Sequence, residues 1–306
     1  MRYVYGPVPS RRLGFSLGVD LVPYKVCSLD CIYCQLGRTT RKEIVRKSYA
    51  RKDDILREIG ESVNRGKEID FITFSGSGEP TLNSEIGILI EDIKKITSIP
   101  IAVLTNGTLL FMDDVQKNLM KANIVLPSLD AASFEMFQKI NRPHRALKID
   151  LIIDGLKRFR EFYRGQIWLE IMLVKGFNDD SQELSRIKKA LSYIKPNRIH
   201  LNTVIRPPSE MYAGPLNPDE MISIKNFFGE GCEIIAEFHR KGSGGNRDMK
   251  DKILDMTKRR PITIADISNA FGLSEENVKK MIQKMNKEGL IREIRYKEKR
   301  YYSFKT

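Results

Sequence analysis

Apolar, β-branched runs alternate with amphipathic stretches along most of this chain, and that alternation limits its fold more than any other feature. The runs are SLGVDLV (16–22), DFITFSG (70–76), IAVLTNG (101–107), IVLPSLD (124–130), IWLEIMLV (167–174), RIHLNTV (198–204) and CEIIAEF (232–238). Between them lie KDDILREIGESVNRG, SEIGILIEDIKKI, KIDLIIDGLKRFREFY and SQELSRIKKALSYI, whose apolar residues recur at three- and four-residue spacing. Period-2 runs read as strands and period-3.6 stretches as helices. Repeated strand–helix units predict a parallel sheet with helices packed outside it. The number of units points to an α/β fold built as a partial or full (β/α) barrel over residues 1–240. In such barrels chemistry gathers at the carboxyl ends of the strands.

Beyond residue 240 the pattern changes. Lys241-Gly-Ser-Gly-Gly245 has the composition of a flexible linker over 241–245. MKDKILDMTKR and TIADISNAF then read as helices, a third opens with Ser274 as N-cap, and Gly289 stops it. LIREIRY and KRYYSFK alternate like a hairpin. Three helices and a hairpin over 246–306 resemble a small winged helix-turn-helix domain.

No window of the 306 residues holds the run of apolar residues that a membrane span needs, and MRYVYGPVPSRRLG places prolines and arginines where a signal peptide is apolar. A cytoplasmic protein is expected, in which clustered cysteines point to metal or catalysis before disulfides. The net charge is +13, and residues 241–306 hold 11 Lys and 6 Arg against 9 acidic residues. An acidic partner such as nucleic acid fits this balance, and so does a lysine-rich solvated surface.

Three of the four cysteines fall in one short loop, CSLDCIYC, as Cys27, Cys31 and Cys34, directly after the first strand. Structural zinc takes four closed ligands. The remaining cysteine, Cys232, heads a distant strand and reads as a core residue. A redox pair leaves the third thiol unexplained. A four-iron cluster usually takes four thiolates, so three leave one iron open to a small molecule.

The Cys-x3-Cys-x2-Cys spacing, with Tyr33 before the last cysteine, resembles the radical S-adenosylmethionine (SAM) superfamily. The resemblance implies a [4Fe–4S] cluster on Cys27, Cys31 and Cys34, with SAM chelating the open iron and a low-potential electron donor of the flavodoxin or ferredoxin type. Gly76-Ser-Gly78-Glu79-Pro80 resembles the superfamily's Gly-Gly-Glu-Pro segment, with a serine in a glycine position. The third and fourth strands end in Thr105-Asn106-Gly107 and Ser128-Leu-Asp130, where the superfamily binds ribose. By this resemblance Tyr33, Gly76, Gly78, Glu79, Thr105, Asn106, Ser128, Asp130 and Glu170 form the SAM site. Alternation puts Trp168, Glu170, Met172 and Val174 on one strand face, so Glu170 meets SAM or substrate if that face lines the barrel and is a salt-bridged surface residue if it does not. His200 and Asn202 share a face of the sixth strand, where a histidine reads first as a core residue.

The blocks GPVPSRRLG, SLGVDLVPYKVCSLDCIYCQLG and LVKGFND look closest to the wyosine-synthase-like branch, whose members modify transfer RNA. The chain departs from it in having no cysteines upstream of Cys27 for a second cluster and no placed pyruvate lysine, Lys175 being near only in pattern. RNA is one expected substrate class. Arg38, Arg41, Lys42, Arg46 and Lys47 would form a basic collar, and Arg292, Arg295, Lys297, Lys299, Arg300, Tyr301 and Tyr302 a wing of cations and aromatics for phosphates and bases. A peptide or protein docked by the same tail is the alternative.

Overall fold

The computed structural model describes residues 3–66, 68–235 and 249–305. The linker expected at 241–245 and the end of the seventh apolar run lie outside the described residues.

The chain opens with β1 (Val4–Ser10) and β2 (Gly14–Val19), then a short pair, β3 (Val26–Cys27) and β4 (Arg41–Lys42), that brackets the cysteine loop. The alternation follows: α1 (Lys52–Asn64), β5 (Phe71–Phe74), α2 (Ile86–Ile96), β6 (Ile101–Thr105), α3 (Asp113–Leu119), β7 (Ile124–Pro127), α4 (Phe134–Met136) and α5 (Ile149–Phe162). It ends with β8 (Gln166–Leu173), α6 (Ser181–Ile194), β9 (Arg198–Thr203), α7 (Pro218–Phe228) and β10 (Cys232–Ile234). One eight-stranded sheet runs β1-β2-β5-β6-β7-β8-β9-β10. Its strands are parallel from β2 onward, and β1 is antiparallel at one edge. The sheet curls with helices outside and stays open between β1 and β10: a partial (β/α) barrel.

Strand alternation decides what faces where. Ile167, Leu169, Ile171 and Leu173 of β8 join Leu17, Phe74 and Val103 in the core beneath the helices. The other face of β8 presents Trp168 and Glu170 to the barrel interior, where Trp168 packs with Leu13, Ala102 and Leu126. Cys232 is 4% exposed within the larger core, as a core cysteine should be. β1 was not legible as a strand, because VYGPVPS carries two prolines and a glycine. Proline is tolerated there because an edge strand has backbone groups that no neighbour needs.

After the undescribed segment come α8 (Met249–Arg259), α9 (Ile264–Phe271), α10 (Glu275–Lys287), β11 (Ile291–Tyr296) and β12 (Lys299–Phe304). Ser274 caps α10 by accepting from the Asn277 amide, and Gly289, at φ 70°, turns the chain out of it. This tail has its own apolar cluster, including Ile253, Ile267, Val278, Ile282 and Tyr302, and Val8 of β1 packs against it. The tail is docked on the barrel. The Arg259 guanidinium lies 3.9 Å from the Tyr5 ring centroid. The Tyr301 hydroxyl donates to the Ile205 carbonyl at 2.7 Å, and the Tyr296 hydroxyl donates to the carbonyls of Val204 and Ala213. The tail therefore reaches from the β1 edge to the segment after β9, across the open side of the barrel. Among the described residues no helix is long and apolar enough to cross a membrane.

Candidate active site

The cysteine loop leaves the carboxyl end of β2 and is pinned by backbone bonds to the turn after α4. Asp30 N donates to Asn141 O, and Ile32 N to Ile140 O, both at 2.9 Å. Beneath it, Ser28 is fully buried and shares a 2.7 Å hydrogen bond with Thr108. Each thiol has its own N–H donor: Asn106 Nδ2 to Cys27 Sγ at 3.5 Å, Asn141 Nδ2 to Cys31 Sγ at 3.4 Å, and Lys25 Nζ to Cys34 Sγ at 3.1 Å. Burial, with the nearby Glu79 charge, pushes the Cys27 thiol up to about 12, and burial raises Cys31 as well.

Three sulfur donors, each served by an N–H group, fit a sulfur-ligated cluster, whose potential depends on hydrogen bonds to sulfur and local charge.

Beside the loop opens a cavity of about 350 Å³ inside the barrel, with Cys27, Gly78, Glu79, Asn106, Ser128 and Glu170 in its wall. Gly76 and Thr105 line it too. Gly76 sits at φ 139°, and a Cβ there would lie 2.5 Å from the Asp20 carboxyl carbon. A Cβ on Gly78 would lie 1.9 Å from the Val26 carbonyl oxygen, so this glycine lets the segment close onto the cysteine loop. Ser77 turns its hydroxyl to Asp20, and its carbonyl accepts from the Lys25 amide at 2.7 Å.

The carboxylate of Glu79 is 2% exposed and accepts from Thr81 N and Oγ1, Thr105 Oγ1 and Asn106 N. Burial raises its pKa against those hydrogen bonds. It ties the ends of β5 and β6 together, which sets Asn106 in the cavity wall against Cys27. Tyr33 and Asp130 do not line the cavity. The Tyr33 hydroxyl donates to Asp130, which also accepts from Asn141 Nδ2 at 2.8 Å and from the Met172 amide at 2.9 Å. Burial pushes the Asp130 carboxyl up to about 6 despite these donors.

Glu170 faces the barrel interior and lines the cavity. It pairs with Arg12 and accepts from Asn202 Nδ2 at 2.9 Å. Burial works to raise its pKa, but the charges of Arg12 and Arg11 and these bonds hold it below the ordinary value. His200 is 2% exposed, edge-on to Trp168 at 5.5 Å between ring centroids, a core residue.

Sequence reasoning missed Lys25, Asn141, Arg12 and the tail residues Met256, Arg259 and Arg260, which reach the cavity wall. A lysine reads as solvated surface, and only the fold shows Lys25 to be 3% exposed. Nothing in the order of residues brings Arg260 to the cavity that Cys27 lines.

The basic collar is not a free ring of cations. The Arg46 side chain is 8% exposed, pairs with Asp114 and donates to the carbonyls of Thr81 and Asn83, because it staples the chain before α1 to the loop after β5. Arg38 pairs with Glu210, Arg41 pairs with Glu43, and Lys42 reaches the carbonyls of Arg142 and Pro143. Tyr301 and Tyr302 are buried at the docking face and in the tail core, so they do not present rings for base stacking. Lys175 pairs with Glu220 and Asp179 outside the cavity.

The family model of the radical SAM superfamily matches residues 21–186, which carry the cysteine loop and the ends of β5 to β8. The chain belongs to the radical SAM superfamily. Its members use a [4Fe–4S] cluster and SAM, the two cofactors that the resemblance implied. The chain is 32% identical to the UPF0026 protein of Methanocaldococcus jannaschii, over 99% of this chain and 96% of that one, and belongs to the same family. It is 38% identical, over 95% of its own length, to a protein of Brachyspira hyodysenteriae named GTPase Obg, and spans only 43% of that protein. A radical SAM methyltransferase from Sphaerobacter thermophilus matches in fold with a TM-score of 0.57 at 16% identity, over 72% of this chain and 65% of that one. The expectation of a wyosine-synthase-like branch is thereby corrected to UPF0026. A physical departure agrees: Lys175 is held by carboxylates away from the cavity.

Proposed function

We propose that this radical SAM protein reductively cleaves SAM beside Cys27, Cys31 and Cys34 and modifies an RNA substrate admitted between barrel and tail. The observation that carries the radical reading is the set of three thiols, each with an N–H donor, opening onto a cavity lined by Gly76, Gly78, Asn106 and Ser128. When bound, the cluster supplies the electron that breaks a SAM carbon–sulfur bond. The chain's own residues do the rest. Asn106, Asn141 and Lys25 orient the sulfurs. Gly76 and Gly78 offer backbone at close range to the methionine part of SAM, and Ser128 and Asn106 offer hydrogen bonds to its ribose. Glu79 and Asp130 hold those groups in place from behind. The docked tail covers the open side of the barrel, which limits access of water to a reactive intermediate.

What supports RNA is the outer face of the tail, which we read as a winged helix. Lys279, Lys280, Lys284 and Lys287 on α10 are exposed, as are Arg292, Arg295 and Arg300 on the hairpin. Exposed cations give sequence-independent, salt-sensitive attraction to phosphate. Anaerobic reconstitution, reduction, and mass spectrometry with a tRNA and peptide panel test the reading. The expected result is 5′-deoxyadenosine release stimulated by an RNA fraction whose binding weakens steeply with salt. S-adenosylhomocysteine as sole product would end the radical reading. Stimulation by peptides alone would end the RNA reading.

A further inference from the structure

Between barrel and tail lies a concentration of arginines that the SAM site does not use. Arg11 follows β1, Arg206 follows β9, and Arg259 and Arg260 come from the end of α8. All four line the SAM cavity, and Arg11, Arg206 and Arg260 also line a second cavity of about 310 Å³ under α9. Arg11, Arg206 and Arg260 therefore stand between the two spaces.

Their charges are poorly matched. Arg206 meets Asp266 at 3.6 Å, and Arg11 donates to the amide oxygen of Asn202 at 3.2 Å. Arg259 donates to its own helix carbonyl at Asp255, near that carboxylate at 3.9 Å, and covers Tyr5. The Nε atoms of Arg206 and Arg259 are buried with no hydrogen-bond partner among the described residues. Asp266 also acts on Arg260, Asp20 faces the charge of Arg259, and Glu170 is already paired with Arg12, so four arginines share few carboxylates. Burial and the charge of Arg206 push Arg11 down to about 10 and Arg260 down to about 9. Grouping like charges away from water is costly, and a fold gains nothing from it unless an anion completes the set.

The geometry points to a phosphate-binding site formed by Arg11, Arg206, Arg259 and Arg260 at the seam between barrel and tail, holding a phosphoryl group of the substrate against the SAM cavity. Phosphate fits better than carboxylate. It brings up to two negative charges and several acceptor oxygens to guanidinium groups that converge from three elements, while a carboxylate brings one charge. The inference rests on this cavity being the reaction site, and its test needs no turnover. The phosphate could come on an RNA chain or on a free nucleotide.

The test is equilibrium binding of inorganic pyrophosphate to the reconstituted full-length protein, with SAM binding measured in parallel. The wild type should bind pyrophosphate, and Arg206→Gln/Arg260→Gln should weaken it by about tenfold or more while leaving SAM binding unchanged. Because the substitution also strands the Asp266 carboxylate, the thermal midpoint without phosphate should fall somewhat, and the rise on adding pyrophosphate should disappear. Arg260→Met alone, which leaves Asp266 its Arg206 partner, should show the same direction if the double variant misfolds. Competition then identifies the source. Adenosine 5′-monophosphate competing without a short oligoribonucleotide doing so would keep this site and overturn the RNA reading. An oligoribonucleotide competing would support both. Equal pyrophosphate affinity in wild type and variants overturns the site, and so does parallel loss of SAM binding, which would assign the arginines to the SAM carboxylate.

Discussion

Lys25 donates from Nζ to Cys34 Sγ across 3.1 Å, nine residues away in sequence, with its backbone at a positive φ of 58°. The cation is 3% exposed, and its main chain is fixed from the glycine-rich segment by the bond from its amide to Ser77 O. A fixed buried charge beside a cluster ligand raises the reduction potential, because reduction adds negative charge there. Lys25→Met should retain about four irons per chain and lower the cluster potential, read by redox titration with electron paramagnetic resonance. Cys34→Ala should lose the iron. An unchanged potential in Lys25→Met would show that the lysine is only a packing residue.

The Arg12–Glu170 pair joins residues 158 apart in sequence, with side chains 14% and 15% exposed. Breaking one half leaves a charge stranded in the barrel. Glu170→Ala should destabilise the protein by about 3 kcal/mol or more in denaturant unfolding. Arg12→Leu/Glu170→Leu should recover most of that loss. A small effect of Glu170→Ala would mean that water reaches the pair freely.

Two glycines separate close approach from conformational entropy. Gly78→Ala would drive its Cβ into the Val26 carbonyl, and the segment would have to move off the cysteine loop. It should lower both the thermal midpoint and iron retention. A Cβ on Gly60 in α1 would meet nothing within 4 Å, so Gly60→Ala should stabilise by about 0.5–1 kcal/mol. Thermal and denaturant unfolding of the two variants side by side check both signs.

Burial, with the charge of Arg12, pushes the His200 imidazole down to about 4. Above pH ~6.5 the histidine is neutral in both states and contributes no pH dependence. As pH falls from ~6.5 toward 4 the unfolded chain takes up a proton that the folded chain refuses. Its share of the stability then falls by about 1.4 kcal/mol per pH unit, and the slope ends once the folded state also protonates. His200→Gln should flatten the stability curve in that window alone, measured by urea unfolding at a series of pH values. A parallel offset at all pH values would refute the assignment.

The barrel and the cysteine loop were legible from local pattern. Period-2 runs with one apolar face can only be strands that bury that face, and helical stripes must cover them. α6 spans Ser181–Ile194, the whole of the stretch SQELSRIKKALSYI, because its N-cap, periodicity and length all agree locally. The three cysteines could be read together because ligands on one loop keep their spacing wherever the loop goes. Pairings over long separations belong to the folded chain alone. Arg12 found Glu170 because the β1–β2 turn curls beneath the interior face of β8, and Asn141 found Cys31 because the turn after α4 packs on the loop. The collar at Arg38–Lys47 and the wing tyrosines read as free contact groups, yet the fold spent Arg46 on stapling and Tyr301 on docking the tail. Local propensity reaches about one turn or strand along the chain. Which distant side chains share a cavity depends on how the sheet curls and what covers its open side, and the tail's arginines line the barrel cavity only because the tail docks there.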